Sequence, residues 1–284
     1  MPRISLFLAC VAACLAAAWP VRADNPLRIA LVSEVTSIQP GQSFYVGLHL
    51  QHPQGYHTYW KFPGIVGVPT GAKWTLPEGF TAGPIEWPEP QRVFMYQIAA
   101  QGYHDEVMLP IRITPPKDLK PGTMVKLAAK ASWMCCGQDC NPGFQDLTLE
   151  LPVKEVVPAK DERWQKLFQI AHQTVPGKLE GWQVSAKREG DHVQLRLTAQ
   201  TEAAQQQCAR IKDATFFTED GFINADKEQH FAKPKPGVIT IALIVSEYAT
   251  NPNAKQFAGV IRTPQGWAPD ARSHSVSVVL PLLP

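Results

Sequence analysis

The chain has 284 residues, of which 45% are hydrophobic and 18% charged, with 27 Lys and Arg residues against 25 Asp and Glu residues. Without Arg3 and Arg22, which lie in the N-terminal segment described next, 25 residues of each sign remain. A net charge near zero with no Lys/Arg cluster argues against nucleic acid or an anionic membrane as a partner. The length suggests two domains of ordinary size.

The N-terminus carries an apolar run that begins at Ile4 and is followed by the small residues of Val21-Arg-Ala23. The run is too short for a membrane-spanning helix, and it predicts a secretory signal peptide, residues 1–23. An alternative is a lipoprotein box, Val11-Ala-Ala-Cys14, which would leave a lipidated Cys14. The apolar core before that box would be very short, so we favour an exported protein without a lipid anchor.

Short alternating runs separated by Pro- and Gly-rich turns predict an all-β architecture for the chain, which has 26 prolines. In the first half the predicted strands are Leu27–Val32, Ser43–Gln51, Lys73–Leu76, Val107–Thr114, Val125–Trp133 and Leu147–Val153. About seven short strands at this spacing fit an immunoglobulin-like β-sandwich. We assign this first domain to residues 24–155.

One helix is predicted next, over Asp161–His172, with Trp164, Leu167 and Phe168 at helical spacing. It lies in a linker, residues 156–176, and we expect it to pack between two domains. A second β-sandwich, residues 177–284, follows. Its predicted strands are Trp182–Ala186, His192–Thr198, Asp213–Thr218, Val238–Val245, Phe257–Arg262 and Ser275–Leu280.

Three cysteines lie within six residues, at the end of the predicted strand 125–133 and in the turn beyond it. Neighbouring strand residues point to opposite faces, so only one of Cys135 and Cys136 can face Cys140 easily. Cys135 has the alternation phase of Trp133, which favours Cys136 as the partner of Cys140. The pair could be redox-active or an inert structural disulfide. Asp139 would raise the pKa of a nearby thiol.

The remaining thiols leave several alternatives open. Cys135 could be an auxiliary resolving thiol, a third metal-binding sulfur, a partner for Cys208, or a small buried hydrophobe, and we favour the last. Cys208 could be free or bonded to Cys135 across a domain interface, and we favour a free thiol. Four cysteines in an exported chain allow three pairings.

Several ordered blocks resemble the periplasmic N-terminal region of the DsbD/ScsB thiol:disulfide interchange family, most closely its ScsB-type branch. They are His57-Thr-Tyr-Trp60, Gly67-Val-Pro-Thr70, Gly83-Pro-Ile-Glu-Trp-Pro88, Gly102-Tyr103, Trp133 with Cys136-x-x-x-Cys140, Phe216-Phe217, Asp220-Gly-Phe-Ile-Asn224, Phe257-Ala-Gly-Val-Ile261 and Gly266-Trp267. The resemblance covers nearly the whole chain after the signal peptide.

This resemblance implies an immunoglobulin-like fold and a role in periplasmic thiol–disulfide exchange, with Cys136 and Cys140 as the catalytic pair and no cofactor. It implies protein thiol partners and a membrane-embedded electron donor, because the family's membrane-embedded and thioredoxin-like domains do not occur in this sequence. The family shields its cysteines with an aromatic cap loop. By position we assign that loop to residues 92–101, with Phe94 or Tyr96 as the lid residue.

Two other functions remain open. The cysteine cluster could bind Cu(I), a soft cation suited to thiolates, with Met134, His57 or His104 as added ligands, although we assign no metal site. The chain could also be a non-catalytic binding module, with its Trp- and Pro-rich loops as the binding surface. A hydrolase has no support, because neither a Gly-x-Ser-x-Gly nor a His-Glu-x-x-His motif occurs.

Overall fold

The computed structural model describes residues 26–268 and 274–283. The predicted signal peptide and the alternative lipid anchor at Cys14 lie outside the described residues. Within the described ranges, no helix has both the length and the apolar character needed to cross a membrane.

The N-terminal unit, residues 27–153, contains ten strands. These are β1 (Arg28–Ser33), β2 (Phe44–Gln51), β3 (His57–Tyr59), β4 (Gly71–Thr75), β5 (Thr81–Ile85), β6 (Gln91–Met95), β7 (Ile98–His104), β8 (Glu106–Thr114), β9 (Met124–Cys136) and β10 (Cys140–Pro152). One sheet has the order β1-β2-β8-β5, and the other has the order β10-β9-β3-β7-β6, with β4 also paired to β9. Both sheets bury side chains in one core, so the unit is a β-sandwich.

The long strand β9 shows how the sequence pattern builds this core. Its buried residues alternate with more exposed ones, and Leu127, Ala131 and Trp133 lie in the core between the sheets. A period of two is the geometry of a strand with one face buried. We call the face that carries these buried residues the inner face of the β9 sheet, and we call the opposite side its outer face. Trp60 is fully buried in the same core.

The remaining elements follow in the second half of the chain. They are α1 (Gln165–Thr174), β11 (Trp182–Glu189), β12 (His192–Ala199), α2 (Glu202–Arg210), β13 (Thr215–Thr218), β14 (His230–Lys235), β15 (Val238–Ile244), β16 (Gln256–Arg262) and β17 (Ser275–Leu283). We call residues 177–283 the C-terminal unit. Its seven strands have the order β13-β16-β17-β11-β12-β15-β14, and its core is separate from most of the first. The protein is therefore mainly β, as the sequence predicts, with an immunoglobulin-like fold.

Two predictions about helices were wrong. The helix α1 begins at Gln165 rather than at Asp161, because the Asp161 carboxylate accepts the backbone N–H of Arg163 in a preceding turn. The second helix, α2, was missed, because its Gln-rich sequence has little apolar periodicity. Its N-terminus is capped by Thr201, whose side chain accepts the N–H of Ala204 at 3.2 Å.

We expected α1 to pack between two domains, but it packs on the β1-β2-β8-β5 sheet. Phe168 and Ala171 are buried there against Val32 and Met108, in a cluster separate from the main core. Gly47 makes room for this contact, since a Cβ at that position would lie 3.1 Å from the Phe168 ring. The apolar face of the helix therefore covers the solvent side of that sheet.

This packing predicts the stability of two variants of α1. Phe168 is fully buried, so we expect Phe168→Ala to lower the free energy of unfolding by about 3–5 kcal/mol. Ile170, on the same helix, is 46% exposed, and Ile170→Ala should change it by no more than about 0.5 kcal/mol. Urea unfolding of both variants measures the difference. Equal losses would contradict the docking of α1.

Candidate functional site

The hairpin of β9 and β10 ends in a disulfide bond between Cys136 and Cys140. The two residues are cross-strand partners, and only three residues separate them. The turn is tight, and Gly137 donates its N–H to the carbonyl oxygen of Asp139 at 2.8 Å. A side chain at Gly137 would meet the ring of Tyr56 at 2.9 Å, so close approach requires a glycine here.

The carboxylate of Asp139 is held inside this turn. Its Oδ1 atom accepts hydrogen bonds from the Tyr56 hydroxyl at 2.9 Å and from the Asn141 amide at 3.0 Å. The bond to Asp139 raises the pKa of Tyr56. The turn that presents the disulfide is therefore fixed by side chains on both of its flanks.

The adjacent cysteines Cys135 and Cys136 point to opposite faces of the sheet. Cys135 belongs to the core of the inner face, with Ala131 and Trp133, whereas Cys136 belongs to a separate cluster on the outer face. The thiol of Cys135 is free, and burial first, then the charge of Asp139, raises its pKa to about 12. It is therefore protonated at neutral pH and packs as a small hydrophobe.

The thiol of Cys208 is also free and buried, in α2 within the C-terminal core. A bond between Cys135 and Cys208, the less favoured alternative from the sequence, does not form. Burial is the main reason that the pKa of Cys208 is raised. Both free thiols are thus poor nucleophiles in the folded protein.

The two sulfurs of the disulfide differ in access. Cys136 is fully buried among Tyr59, Val93 and Ala100, whereas Cys140 is an exposed residue. An attacking thiolate must approach one sulfur along the disulfide axis. Of the two members, Cys140 is the more accessible residue.

The segment assigned to a cap loop is a β-hairpin, formed by β6 and β7, and we call it the cap hairpin. Its tip is the two-residue turn Tyr96-Gln97, since Met95 and Ile98 are the last cross-strand pair. The Met95 sulfur lies 3.6 Å from the sulfur of Cys140. The Tyr96 hydroxyl donates to the carbonyl oxygen of Gln138, in the disulfide turn, at 3.1 Å.

The two lid candidates therefore differ in position. Tyr96 lies over the disulfide turn, but Phe94 does not, because it is one residue from Met95 and has the opposite alternation phase. Its side chain is 53% exposed under the guanidinium of Arg92. Sequence reasoning missed Met95, although the alternation Val93-Phe94-Met95 contained the signal.

A buried histidine lies beside the disulfide. His57 is the cross-strand partner of Cys136 on one side and of His104 on the other, and it is 5% exposed. Its Nε2 atom has no hydrogen-bond partner among the described residues. Burial, followed by the neighbouring His52 and His104, lowers the pKa of His57 to about 4, so its imidazole is neutral at pH 7.

The described residues contain no group of three or more His, Cys, Asp or Glu side chains that could hold a metal ion. The fold separates the sulfurs that the sequence brings together, since Cys135 faces the core and Cys136 is bonded to Cys140. The three thiolates of the predicted Cu(I) alternative do not share a face of the sheet.

The pKa of His57 predicts a pH dependence of stability. Because the folded-state pKa, about 4, lies below the ordinary value of 6.5, the unfolded state binds the extra proton between these values. The stability that neutral His57 contributes is therefore fully present above pH 6.5. The free energy of unfolding decreases by about 3 kcal/mol as the pH falls to 4. Urea unfolding at several pH values should show a smaller acid loss for His57→Leu than for the wild type. Equal losses would contradict this role of His57.

The chain is similar to known proteins in part of its sequence and in its fold. The family model described as "Thiol:disulfide interchange protein DsbD, N-terminal" matches residues 29–152. Comparison with curated protein sequences gave no match. Among solved structures, the N-terminal periplasmic domain of ScsB from Proteus mirabilis aligns with a TM-score of 0.62 and 17% identity, over 93% of this chain and 96% of that one.

Other structural matches are more distant. A cohesin–dockerin complex from Clostridium thermocellum has a TM-score of 0.26 and 12% identity, over 46% of this chain and 100% of that one. The major pilin subunit BcpA of Bacillus cereus has a TM-score of 0.27 and 12% identity, over 90% and 69%. Scores this low carry no argument, while the ScsB match supports the fold. Residues 29–152, which contain the disulfide and the cap hairpin, are therefore similar in sequence to the DsbD N-terminal family, and the fold is similar to that of the ScsB domain.

Proposed function

We propose that this protein exchanges thiols and disulfides with periplasmic protein partners through Cys136 and Cys140. The observation that carries the proposal is the disulfide itself, which joins an exposed residue, Cys140, to a buried one, Cys136, at the end of a hairpin. A structural disulfide gains nothing from such exposure, whereas exchange requires one accessible sulfur. The family match of the same residues to thiol:disulfide interchange proteins supports this reading.

The exchange step follows from the difference in access. In the reduced protein, Cys140 loses its proton, and its thiolate attacks one sulfur of the partner's disulfide. A mixed disulfide forms, and the partner's second sulfur leaves as a thiolate that takes up a proton. Cys136 then loses its proton, its thiolate attacks the Cys140 sulfur, and the first partner sulfur leaves as a thiolate that takes up a proton. Two electrons pass from this protein to the partner, and the Cys136–Cys140 bond is restored.

The compartment and the electron donor belong to the same proposal. The ScsB domain with the similar fold is described as periplasmic, and the sequence predicts a signal peptide, residues 1–23. After each turnover the disulfide must be reduced again, and we assign this step to a membrane-embedded dithiol donor. No cofactor takes part. We also retain the predicted domains, residues 24–155 and 177–284, with residues 156–176 as the linker.

Single-cysteine variants test the order of attack. With an oxidised thioredoxin-fold protein as the probe, we expect reduced Cys136→Ser to accumulate a mixed disulfide through Cys140, since the resolving sulfur is missing. We expect Cys140→Ser to react far more slowly, because Cys136 is buried. Mass spectrometry of alkylated samples identifies the products.

The matched control is Cys208→Ser, which removes a buried thiol remote from the pair and should turn over like the wild type. Equal trapping by Cys136→Ser and Cys140→Ser would contradict the proposed order of attack. A wild-type protein that never reduces the probe, under conditions in which thioredoxin does, would contradict the function itself.

The cap hairpin predicts how fast a small reductant reaches the disulfide. The bond from the Tyr96 hydroxyl contributes about 0.5–1.5 kcal/mol, so Tyr96→Ala should speed reduction by dithiothreitol about two- to tenfold. Phe94→Ala is the control, because this neighbouring aromatic residue faces away from the disulfide. Each reaction is quenched with an alkylating agent at several times, and mass spectrometry then gives both rates. Equal acceleration by the two variants would contradict a specific lid role for Tyr96.

A further inference from the structure

The C-terminal unit binds the cap hairpin through a buried glutamine. The Gln101 side chain on β7 donates to the carbonyl oxygen of Thr218 at 2.8 Å and accepts the Thr218 N–H at 2.7 Å. The same amide donates to the carbonyl oxygen of Phe62 at 2.6 Å. Gln101 and Thr218 are almost completely buried. The side-chain amide therefore pairs with β13 as a neighbouring strand would.

A second contact reaches β7 two residues closer to the tip. The backbone N–H of Ala99 donates to Oδ1 of Asp226 at 2.7 Å, and Ala99 is buried. Asp226 is itself held, because its N–H donates to the side chain of Asn224 at 2.8 Å. A carboxylate acceptor makes this hydrogen bond stronger than a neutral one.

Packing around these two contacts fixes the units against each other. Phe217 and Val260 of the C-terminal unit lie in the main core of the N-terminal unit. A Cβ at Gly221 would lie 2.4 Å from the ring of Phe62, so the chains touch closely there. An ion pair of 2.7 Å between Lys61 and Glu219 borders the same contact. The support for β7 is therefore a packed surface.

The position of these contacts limits how the cap can open. Ala99 pairs with Phe94, and only Met95 to Ile98 lie beyond that pair. A hairpin anchored at Ala99 and Gln101 has no distant hinge about which its tip could swing. The tip can move only within its own four residues or by release of the contact with Asp226.

We infer that the C-terminal unit controls access to the disulfide by holding the cap hairpin closed, with Gln101 and Asp226 as positioning residues. This inference rests on the proposed exchange function, since a cap matters only where a thiol must reach Cys140. Neither residue touches the sulfurs. Each acts through β7, which places Met95 and Tyr96 over the disulfide turn.

The rate of reduction by dithiothreitol tests this inference in the full-length protein. Asp226→Ala leaves the Ala99 N–H without its acceptor, and we expect reduction about tenfold faster, as for the loss of a hydrogen bond to a charged group. Asp226→Asn keeps a neutral oxygen acceptor and is the matched control, with a rate between those of the wild type and Asp226→Ala. Thermal unfolding confirms that each variant is folded under the assay conditions.

A double mutant separates the cap from a general loss of structure. With the Tyr96 side chain already removed from the tip by Tyr96→Ala, the additional Asp226→Ala change should alter the rate by less than about twofold, because both changes act on the same cover. Fully additive acceleration would contradict the inference, and so would an Asp226→Ala rate equal to wild type.

A second pair of variants guards against a folding defect at Asp226. Gln101→Glu removes both donated hydrogen bonds and should also speed reduction, whereas Gln145→Glu makes the same charge change at an exposed site of β10 and should not. The dithiothreitol assay measures these rates without a protein partner. Failure of the wild type to reduce a protein disulfide would therefore contradict the exchange function while leaving the result for the cap intact.

Discussion

The alternation of side chains along β9 is the constraint on which the rest of the site depends. A strand must send neighbouring residues to opposite faces, so Cys135 and Cys136 cannot act together. The inner face takes Cys135 into the sandwich core, where burial keeps its thiol protonated. The outer face receives Cys136, and the three-residue turn returns Cys140 to the same side. A run of three cysteines thus becomes one disulfide and one inert thiol.

The outer face determines how each cysteine of the disulfide is covered. Cys136 is covered by the cluster of Tyr59, Val93 and Ala100, while Cys140 at the hairpin end is left exposed. His57 adds a neutral imidazole to this face, because burial prevents its protonation near pH 7. Cys136 therefore lies in a mostly apolar environment, whereas Cys140 is an exposed residue beside the tip of the cap hairpin. This asymmetry gives the two sulfurs different chemical access although they are joined by one bond.

The sequence predicted the pairing of Cys136 with Cys140 because the relevant signals are local. The phase of Trp133 and Cys135 follows from alternation within one strand, and it separated Cys136 from its neighbour correctly. The cap hairpin was expected as a loop, because its turn at Tyr96-Gln97 contains neither the Gly nor the Asn that marks such hairpins. The rest of the site depends on long-range contacts, which the sequence did not reveal. The hydrogen bonds between Gln101 and Thr218, for example, cannot be inferred from the spacing of either residue.

The base and the tip of the cap hairpin differ in how strongly they are held in place. Tyr96 has a φ of 55°, in the left-handed region, which costs a non-glycine residue about 1–2 kcal/mol. Its hydroxyl bond to Gln138 returns only about 0.5–1.5 kcal/mol, and its side chain is 73% exposed. This hydrogen bond at most offsets the backbone cost, so the residues of the tip do not by themselves favour the closed position. The base at Gln101 is buried and hydrogen-bonded on both sides of its amide, so closure of the tip depends on where the base is held.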